Sequence, residues 1–338
     1  MSAPDRPGSD TAAPRVWAIS DGAAGNERQA LALAAALGVE AEVKRIALRA
    51  PWRWVAPRWL RGAQRAFEPA LQPPWPDLAI GCGRHAALAT RALRAWNGAS
   101  TFTVQILDPR IDPAAFDVVI APRHDGMHGP NVIETLGSLN PIDDAWLAAG
   151  RAAFAPLAGL PPPLTALLVG GPRRGAHAGT AAFAAFVAPI ARRLEREGGT
   201  LLVTVSRRTP PAWRAHLHGA FASGCVQFWD GPEDGPNPYA GYLAHAARIA
   251  VTPDSVNMLS EACAVGVPVL SRLPRGARGR LAAFHAGLRD AGRLFDLDDP
   301  TPGSPPAPLR ETATVAAEVR RRWDAQRAAN TGAPTPSP

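Results

Sequence analysis

Short apolar runs bounded by turn residues recur along the chain, and most of them open into stretches with helical spacing. Val16–Ser20 reads as a buried strand, the turn from Asp21 to Gly25 follows, and good helix formers run from Asn26 to Leu37 before Gly38. The unit then repeats. Strands are predicted over Glu42–Leu48 and Asp77–Gly81, a helix from about Arg84 to Trp96, and strands over Thr101–Leu107 and Phe116–Ala121 with a turn at Asp108–Pro109–Arg110 between them. A helical stretch from Asn140 to about Leu157 precedes Pro161–Pro162–Pro163, which marks a break. After it come a strand over Leu164–Val169 with the turn Gly170–Gly171–Pro172–Arg173–Arg174–Gly175, a helix over Thr180–Glu197, and strands over Leu201–Val205 and Val226–Trp229. A helix begins at Tyr239.

The stretch Arg248 to Leu270 organises the rest. It reads as a strand (Ile249–Thr252), a turn at Pro253–Asp254–Ser255, a helix from about Val256 to Val265, Gly266, and a strand at Pro268–Leu270. Asp254 or Ser255 can cap the helix and Gly266 can end it. Val256, Leu259 and Cys263 form its buried stripe, which puts Asn257 and Glu261 together on the opposite face. Strands alternating with helices predict an α/β chain of parallel sheets with right-handed crossovers. The expected layout is a domain over 15–158, a second over 159–309, a last helix over 310–330, and disordered tails at 1–14 and 331–338.

At 338 residues, with 46% apolar and 19% charged residues, the chain is long enough for two cores and is neither disordered nor fibrous in composition. Its net charge is +7, yet Lys44 is the only lysine and the excess is arginine. No stretch joins clustered basic residues to a nucleic-acid motif, so no nucleic-acid partner is expected; an anionic ligand or an anionic membrane surface fits the charge equally well. Cys82, Cys225 and Cys263 are odd in number and far apart, read as buried thiols, and lack metal-ligand spacing. The first fifteen residues lack the apolar core of a signal peptide, and no run reaches the ~20 apolar residues of a membrane span, so a cytoplasmic protein is expected.

Candidate chemistry gathers at predicted strand ends. The turn DGAAG matches neither the dinucleotide nor the P-loop spacing, but Gly22 and Gly25 allow close backbone approach and Gln29 lies one turn into the helix. Gly83 and Arg84 stand at the start of the next helix, beside His85. His124, Asp125 and His128 lie within five residues after an apolar strand. They suit a general base, a metal site needing a further distant ligand, or a solvated loop. In PWRWVAPRWLRGAQRAF, Trp52, Trp54 and Trp59 alternate with arginines, a composition shared by membrane-interface segments and by helices packed on a core.

The Arg248–Leu270 stretch resembles the donor half of GT-B glycosyltransferases. Together with WAISDGAAGNERQALALAAALG, LDPR and PRHDG, the chain resembles, from about Trp17 to about Leu270, the mitochondrial fission family first known from plants, with bacterial relatives. The resemblance implies two Rossmann-like domains facing a cleft, with the last helix crossing back to the first. It implies a metal-independent transferase with no cofactor beyond a nucleotide-sugar donor of UDP, GDP or ADP type, acting on an envelope glycolipid or polysaccharide precursor. The second domain would hold the donor through Gly170, Gly171, Ser206, Arg207, Tyr239, Ser255, Asn257 and Glu261. The first would hold the acceptor through Gly22, Gly25, Gln29, Gly83 and Arg84, with Asp21, His124 or Asp125 taking its proton, and Trp52, Trp54 and Trp59 would make peripheral membrane contact. Asp254 beside a phosphate site would repel it unless spent on capping. The plant members act as adaptors, so a scaffold that binds a protein partner is the alternative. A nucleotide-sugar epimerase is not expected, since it would require a dinucleotide fingerprint after the first strand and a Tyr-x-x-x-Lys pair: DGAAG does not fit the first, and with Lys44 the only lysine and the tyrosines at Tyr239 and Tyr242 the pair is absent.

Overall fold

The structure, a computed structural model, describes residues 13–172, 179–222, 224–300 and 302–331. The expected tails fall outside these residues except at 13, 14 and 331, as does the Arg173–Gly175 turn. Among the described residues the chain forms two compact units. The first runs to Ile120 and includes Gly129–Ile133 and the residues from Ala316 on; the second comprises Ala121–His128 and Glu134–Val315.

The first unit is built on β1 (Val16–Ser20), α1 (Ala24–Ala36), β2 (Ala41–Arg45), β3 (Ala47–Leu48), α2 (Trp52–Val55), β4 (Phe67–Glu68), β5 (Leu78–Cys82), α3 (Arg84–Asn97), β6 (Phe102–Ile106), β7 (Val118–Pro122) and β8 (Val132–Thr135). Six strands form one sheet in the order β2-β1-β5-β6-β7-β8, with parallel pairing from β2 through β7. β1, β5, β6 and β7 are buried along their whole length, as near-continuous apolar runs in a covered parallel sheet should be. The single strand expected over Glu42–Leu48 is two. Its first four residues, with Ala41 before them, pair with β1 until β1 ends at Ser20; Ile46 then turns the chain, and β3 pairs antiparallel with β4. β8 was not expected, because VIET is short, half-exposed and carries a glutamate.

The second unit contains α4 (Asp144–Ala153), β9 (Leu164–Val169), α5 (Thr180–Glu197), β10 (Thr200–Val205), α6 (Pro211–Ala220), β11 (Val226–Trp229), α7 (Tyr239–His245), β12 (Arg248–Val251), α8 (Val256–Cys263), β13 (Val269–Leu270), α9 (Arg280–Asp290) and β14 (Leu294–Phe295). Its sheet is parallel throughout, in the order β11-β10-β9-β12-β13-β14. Numbered within the unit, that order is 3-2-1-4-5-6, the doubly wound arrangement. Leu167, Val169, Leu201, Val203, Ala250 and Leu270 lie on one core with Phe183, Phe186 and Trp213, while Ala166, Leu168, Ile249, Val251 and Val269 lie on another with Leu243, Leu259 and Phe284. The alternation along β9 and β12 shows both faces of the sheet covered.

The last helix, α10 (Thr312–Thr331), belongs from Ala316 onward to the first unit, as the resemblance implied. Val319 and Trp323 are fully buried, Arg320 bonds the Leu37 carbonyl at the end of α1, and Gln326 and Asn330 reach the Ala99 carbonyl at 2.9 and 2.8 Å. Two expectations need correcting. Cys225 is exposed, not a buried thiol, because it precedes the half-exposed edge strand β11; Cys82 and Cys263 are buried. α8 is buried on most sides, so Glu261, expected on the face opposite the buried stripe, is only 3% exposed.

Candidate functional site

In the second sheet the strand order reverses between β9 and β12, and the crevice beyond their carboxyl ends is where a doubly wound sheet takes ligands. Four of the expected donor residues flank that point. Gly170 and Gly171 leave β9, and Ser255 and Asn257 open α8 after β12. The two loops are tied together. The Gly170 amide donates to Thr252 Oγ1 at 2.8 Å and the Gly171 amide to Asp254 Oδ2 at 3.1 Å. Gly171 has no room for a side chain, since a Cβ would lie 2.2 Å from the Arg208 carbonyl oxygen in the turn after β10.

Asp254 is therefore not the cap of α8. Ser255 caps it, its Oγ accepting from the Met258 amide, and Asp254 is spent on Gly171 instead. Burial pushes the Asp254 carboxyl above its usual range, against hydrogen bonds from Thr252, its own amide and Gly171 and the pull of Arg208. A carboxylate thus occupies one of the amides that an incoming phosphate would use. Ser206 is also engaged: its Oγ accepts from the Arg208 amide and pairs with Thr209 Oγ1 at 3.1 Å, while Thr209 Oγ1 lies 2.6 Å from the Gly170 carbonyl. Arg207 is exposed. Thr209 and Thr252, both buried, are positions the sequence reading passed over; a small hydroxyl residue just beyond a strand is the signal that marks them.

Glu261 and Tyr239 meet directly. The Tyr239 hydroxyl donates to Glu261 Oε2, and Asn237 Oδ1 accepts from the Tyr239 amide at 3.0 Å, fixing the start of α7. A carboxylate accepts about four hydrogen bonds, so the tyrosine takes part of what a sugar hydroxyl would otherwise find.

His124 and Asp125, expected in the first domain, group with the second unit and pack on α9. The Asp125 carboxylate lies 3.2 Å from Arg280 and 3.9 Å from His124 Nε2, and the His124 ring is 5.2 Å from that of Phe284. The next residue, His285, is 2% exposed and bonds the Pro253 carbonyl of the β12–α8 turn through Nε2 at 2.9 Å; burial lowers its pKa. α9 thereby links the His124–Asp125 turn to the switch point. His128 points elsewhere, to Glu134 at 2.7 Å, so the three residues do not converge as a metal site requires.

In the first sheet the order reverses between β1 and β5. Asp21 and Gly22 leave β1, and Gly83 and Arg84 leave β5, so that expected set also flanks a switch point. Asn26 joins the two turns: its Nδ2 donates to Asp21 Oδ1 at 3.0 Å and lies 2.7 Å from where a Gly83 Cβ would stand. Gly83 has φ +86°, so the close approach and the left-handed backbone both call for glycine. His85 stands beside them with Nδ1 buried and unbonded; burial lowers its pKa, against the opposing pull of Asp21. Gln29 is turned inward, 3% exposed, with Nε2 3.4 Å from the Gly25 carbonyl, and so does not extend as an acceptor contact.

Among the tryptophans of the basic segment, Trp52 packs on the first core and bonds the Arg61 carbonyl through Nε1, because Gly62 leaves room for its ring. Trp54 and Trp59 are 64% and 46% exposed. No helix among the described residues is long and apolar enough to cross a membrane.

Residues 24–323 match the family model described as Mitochondrial fission ELM1. A mitochondrial fission protein ELM1 of Arabidopsis thaliana is 30% identical over 279 residues, covering 74% of this chain and 65% of the plant protein, so the chain spans about two thirds of that relative's length. An uncharacterized protein of Rickettsia prowazekii is 26% identical over 292 residues, covering 75% of this chain and 82% of its own. Among solved structures, the UDP-N-acetylglucosamine 2-epimerase of Rickettsia bellii superposes with a TM-score of 0.52 at 12% identity, covering 95% of this chain and 97% of that one. That likeness is one of fold. Because an epimerase shares this fold, the missing dinucleotide fingerprint and Tyr-x-x-x-Lys pair do not by themselves set a nucleotide-sugar epimerase aside. Two tandem parallel-sheet units of GT-B type agree with the family match, and the chain belongs to the mitochondrial fission ELM1 family.

Proposed function

We propose that the protein is a glycosyltransferase that takes a sugar from a nucleotide-sugar donor held at the β9–β12 switch point. Its acceptor, an envelope glycolipid or polysaccharide precursor, is held at the β1–β5 switch point. The observation that carries this reading is that Gly170, Gly171, Ser255 and Asn257 flank the switch point of one sheet and Asp21, Gly22, Gly83 and Arg84 that of the other, where doubly wound sheets bind nucleotides and phosphates.

In this reading the donor diphosphate lies against the Gly170–Gly171 turn and the first amides of α8. The helix N-terminus and Arg207 take up the negative charge that develops as the sugar–phosphate bond breaks, in the role a divalent cation has elsewhere. Glu261, held by Tyr239, accepts from the ribose hydroxyls. Asp21, His124 or Asp125 removes the acceptor proton, and His85, with an unbonded Nδ1, joins them as a base. Trp54 and Trp59 with their arginines bring the protein to the cytoplasmic face of a membrane. A thermal-shift screen against UDP, GDP, ADP and their sugar conjugates tests the reading. A nucleotide well above its dissociation constant raises Tm by mass action, and Glu261→Ala should abolish the rise.

A second reading, an adaptor that binds a protein partner, draws support from one feature. Asp254 already occupies the Gly171 amide, as in a site no longer used for phosphate. A well-folded protein whose Tm no nucleotide moves would favour it.

A further inference from the structure

The wall of the first unit between α2 and the start of α3 holds a cavity of about 540 Å³, within the size range of ligand sites. Trp54, Trp59 and Leu60 line it together with Arg58, Arg84 and Arg110, and no carboxylate does. Elsewhere the arginines find acids: Arg45 with Glu27, Arg280 with Asp125 and Arg310 with Asp144. Among the described residues, Arg58, Arg84 and Arg110 have no such partner. Three guanidiniums around one opening make a local positive potential there that favours an anion.

The chain holds them there at a cost. Arg84 is fixed by donating from Nη2 to the Arg53 carbonyl at 2.8 Å, and Arg91 Nη1 grips the Pro57 and Arg58 carbonyls at 2.8 and 2.9 Å. Arg110 stands in a turn where Leu107 and Arg110 have φ of 70° and 61°, the two non-glycine residues in the left-handed region among those described. Asp108 Oδ1 secures that turn by accepting from the Arg110 amide at 2.7 Å. Backbone strain of this kind collects where a side chain must be aimed. The two tryptophans at the rim are exposed, an unfavourable placement for rings of that size unless a ligand covers them.

We infer that this cavity binds a phosphate group borne on an apolar chain. The three guanidiniums take the phosphate oxygens, and Trp54, Trp59 and Leu60 cover the first carbons of the chain. As the identity of the acceptor class this rests on the transferase reading, whereas the phosphate site itself is measured without nucleotide.

Isothermal titration of the full chain with octyl phosphate, octyl glucoside and inorganic pyrophosphate tests it. Octyl phosphate should bind at least about tenfold more tightly than either of the others, since only it supplies both the charge-assisted hydrogen bonds and the apolar contact. Arg58→Gln and Arg110→Gln should each weaken it by about tenfold, as expected for one charge-assisted hydrogen bond. Among the described residues neither side chain bonds elsewhere, and thermal melts of both variants establish that they remain folded. Equal binding of octyl glucoside would mean a generic apolar surface, and equal binding of pyrophosphate a soluble-anion site; either overturns the inference, as does wild-type affinity in the double variant. A protein that binds UDP but not octyl phosphate sinks this inference alone. One that binds octyl phosphate but no nucleotide leaves it standing and sinks the transferase reading.

Discussion

Replacing Asp254 by asparagine removes one negative charge from the switch point of the second sheet while leaving a carbonyl oxygen to accept the Gly171 amide. In the folded protein that amide lies 3.1 Å from Asp254 Oδ2. A phosphate oxygen sharing it would come to roughly 4 Å from the carboxylate, where two unit charges near a protein surface repel by about 4 kcal/mol. Solvent, counterions and partial protonation of a carboxyl whose pKa burial has raised reduce that figure. Even about a third of it, roughly 1.4 kcal/mol, is a tenfold tightening of nucleotide binding. The assay is isothermal titration with a nucleotide sugar, whose diphosphate diester does not itself titrate near neutrality. The sign of the pH dependence follows. Wild-type affinity should rise as pH falls and Asp254 takes up its proton, whereas the Asp254→Asn affinity should stay flat over the same range. Stability moves the same way. A folded-state pKa above the unfolded one means that ionisation of Asp254 costs the fold, a cost absent below the unfolded pKa and complete above the folded one. The variant should therefore melt no lower than wild type at neutral pH. Nucleotide binding that is unchanged or weaker in Asp254→Asn would refute the placement of the diphosphate at the Gly171 amide.

Three further outcomes are expected from the structure. Gly171→Ala drives a methyl group to 2.2 Å from the Arg208 carbonyl oxygen, and overpacking against backbone should cost about 1–3 kcal/mol in chemical denaturation and remove nucleotide binding with it. Trp323→Ala empties a site that is 1% exposed on α10 and should cost about 3–5 kcal/mol, read by denaturation; an effect below about 1 kcal/mol would mean that the last helix does not pack on the first unit. Hydrogen bonds from Arg321 and Arg322 hold the Glu318 carboxyl down to about 2, so its contribution is present above the unfolded pKa near 4.5 and lost as pH falls toward 2. Because the group is a third exposed, the Tm deficit of Glu318→Gln should reflect under about 1 kcal/mol at pH 7 and shrink below pH 4.5.

The parallel sheets were legible because their strands are apolar throughout and bounded by glycine, proline and aspartate, as at Val16–Ser20 and Leu164–Val169. Two short strands were not. β8 reads as loop because Glu134 interrupts it, and β14 is a two-residue strand held in place only by its pairing with β13, which itself lies inside the strand expected at Pro268–Leu270. Spacing also located the turns that carry Gly22, Gly83, Gly170 and Ser255. It could not supply the strand order that puts them at switch points, because order depends on which strands pair and not on the residues within any one of them. Periodicity misjudged Glu261 for a related reason: a helix of eight residues packed on several sides has no solvent face, and its partner Tyr239 lies 22 residues away. Asp254 and Ser255 read alike as helix caps, since Asp and Ser serve equally there, and only the fold brings the Gly171 amide to Asp254 and leaves the cap to Ser255. His124 and Asp125 seemed to belong with the strand before them, but their contacts are with Arg280 and Phe284, some 155 residues on.

The measurement that bears most directly on the central claim is isothermal titration of the full chain with UDP, GDP and ADP, repeated with Glu261→Ala. The account predicts saturable binding of one nucleotide, lost or weakened at least about tenfold in the variant, as removal of a buried hydrogen-bond acceptor should produce. Binding of none of the three by folded protein, or binding that Glu261→Ala leaves intact, would contradict a donor site at the β9–β12 switch point.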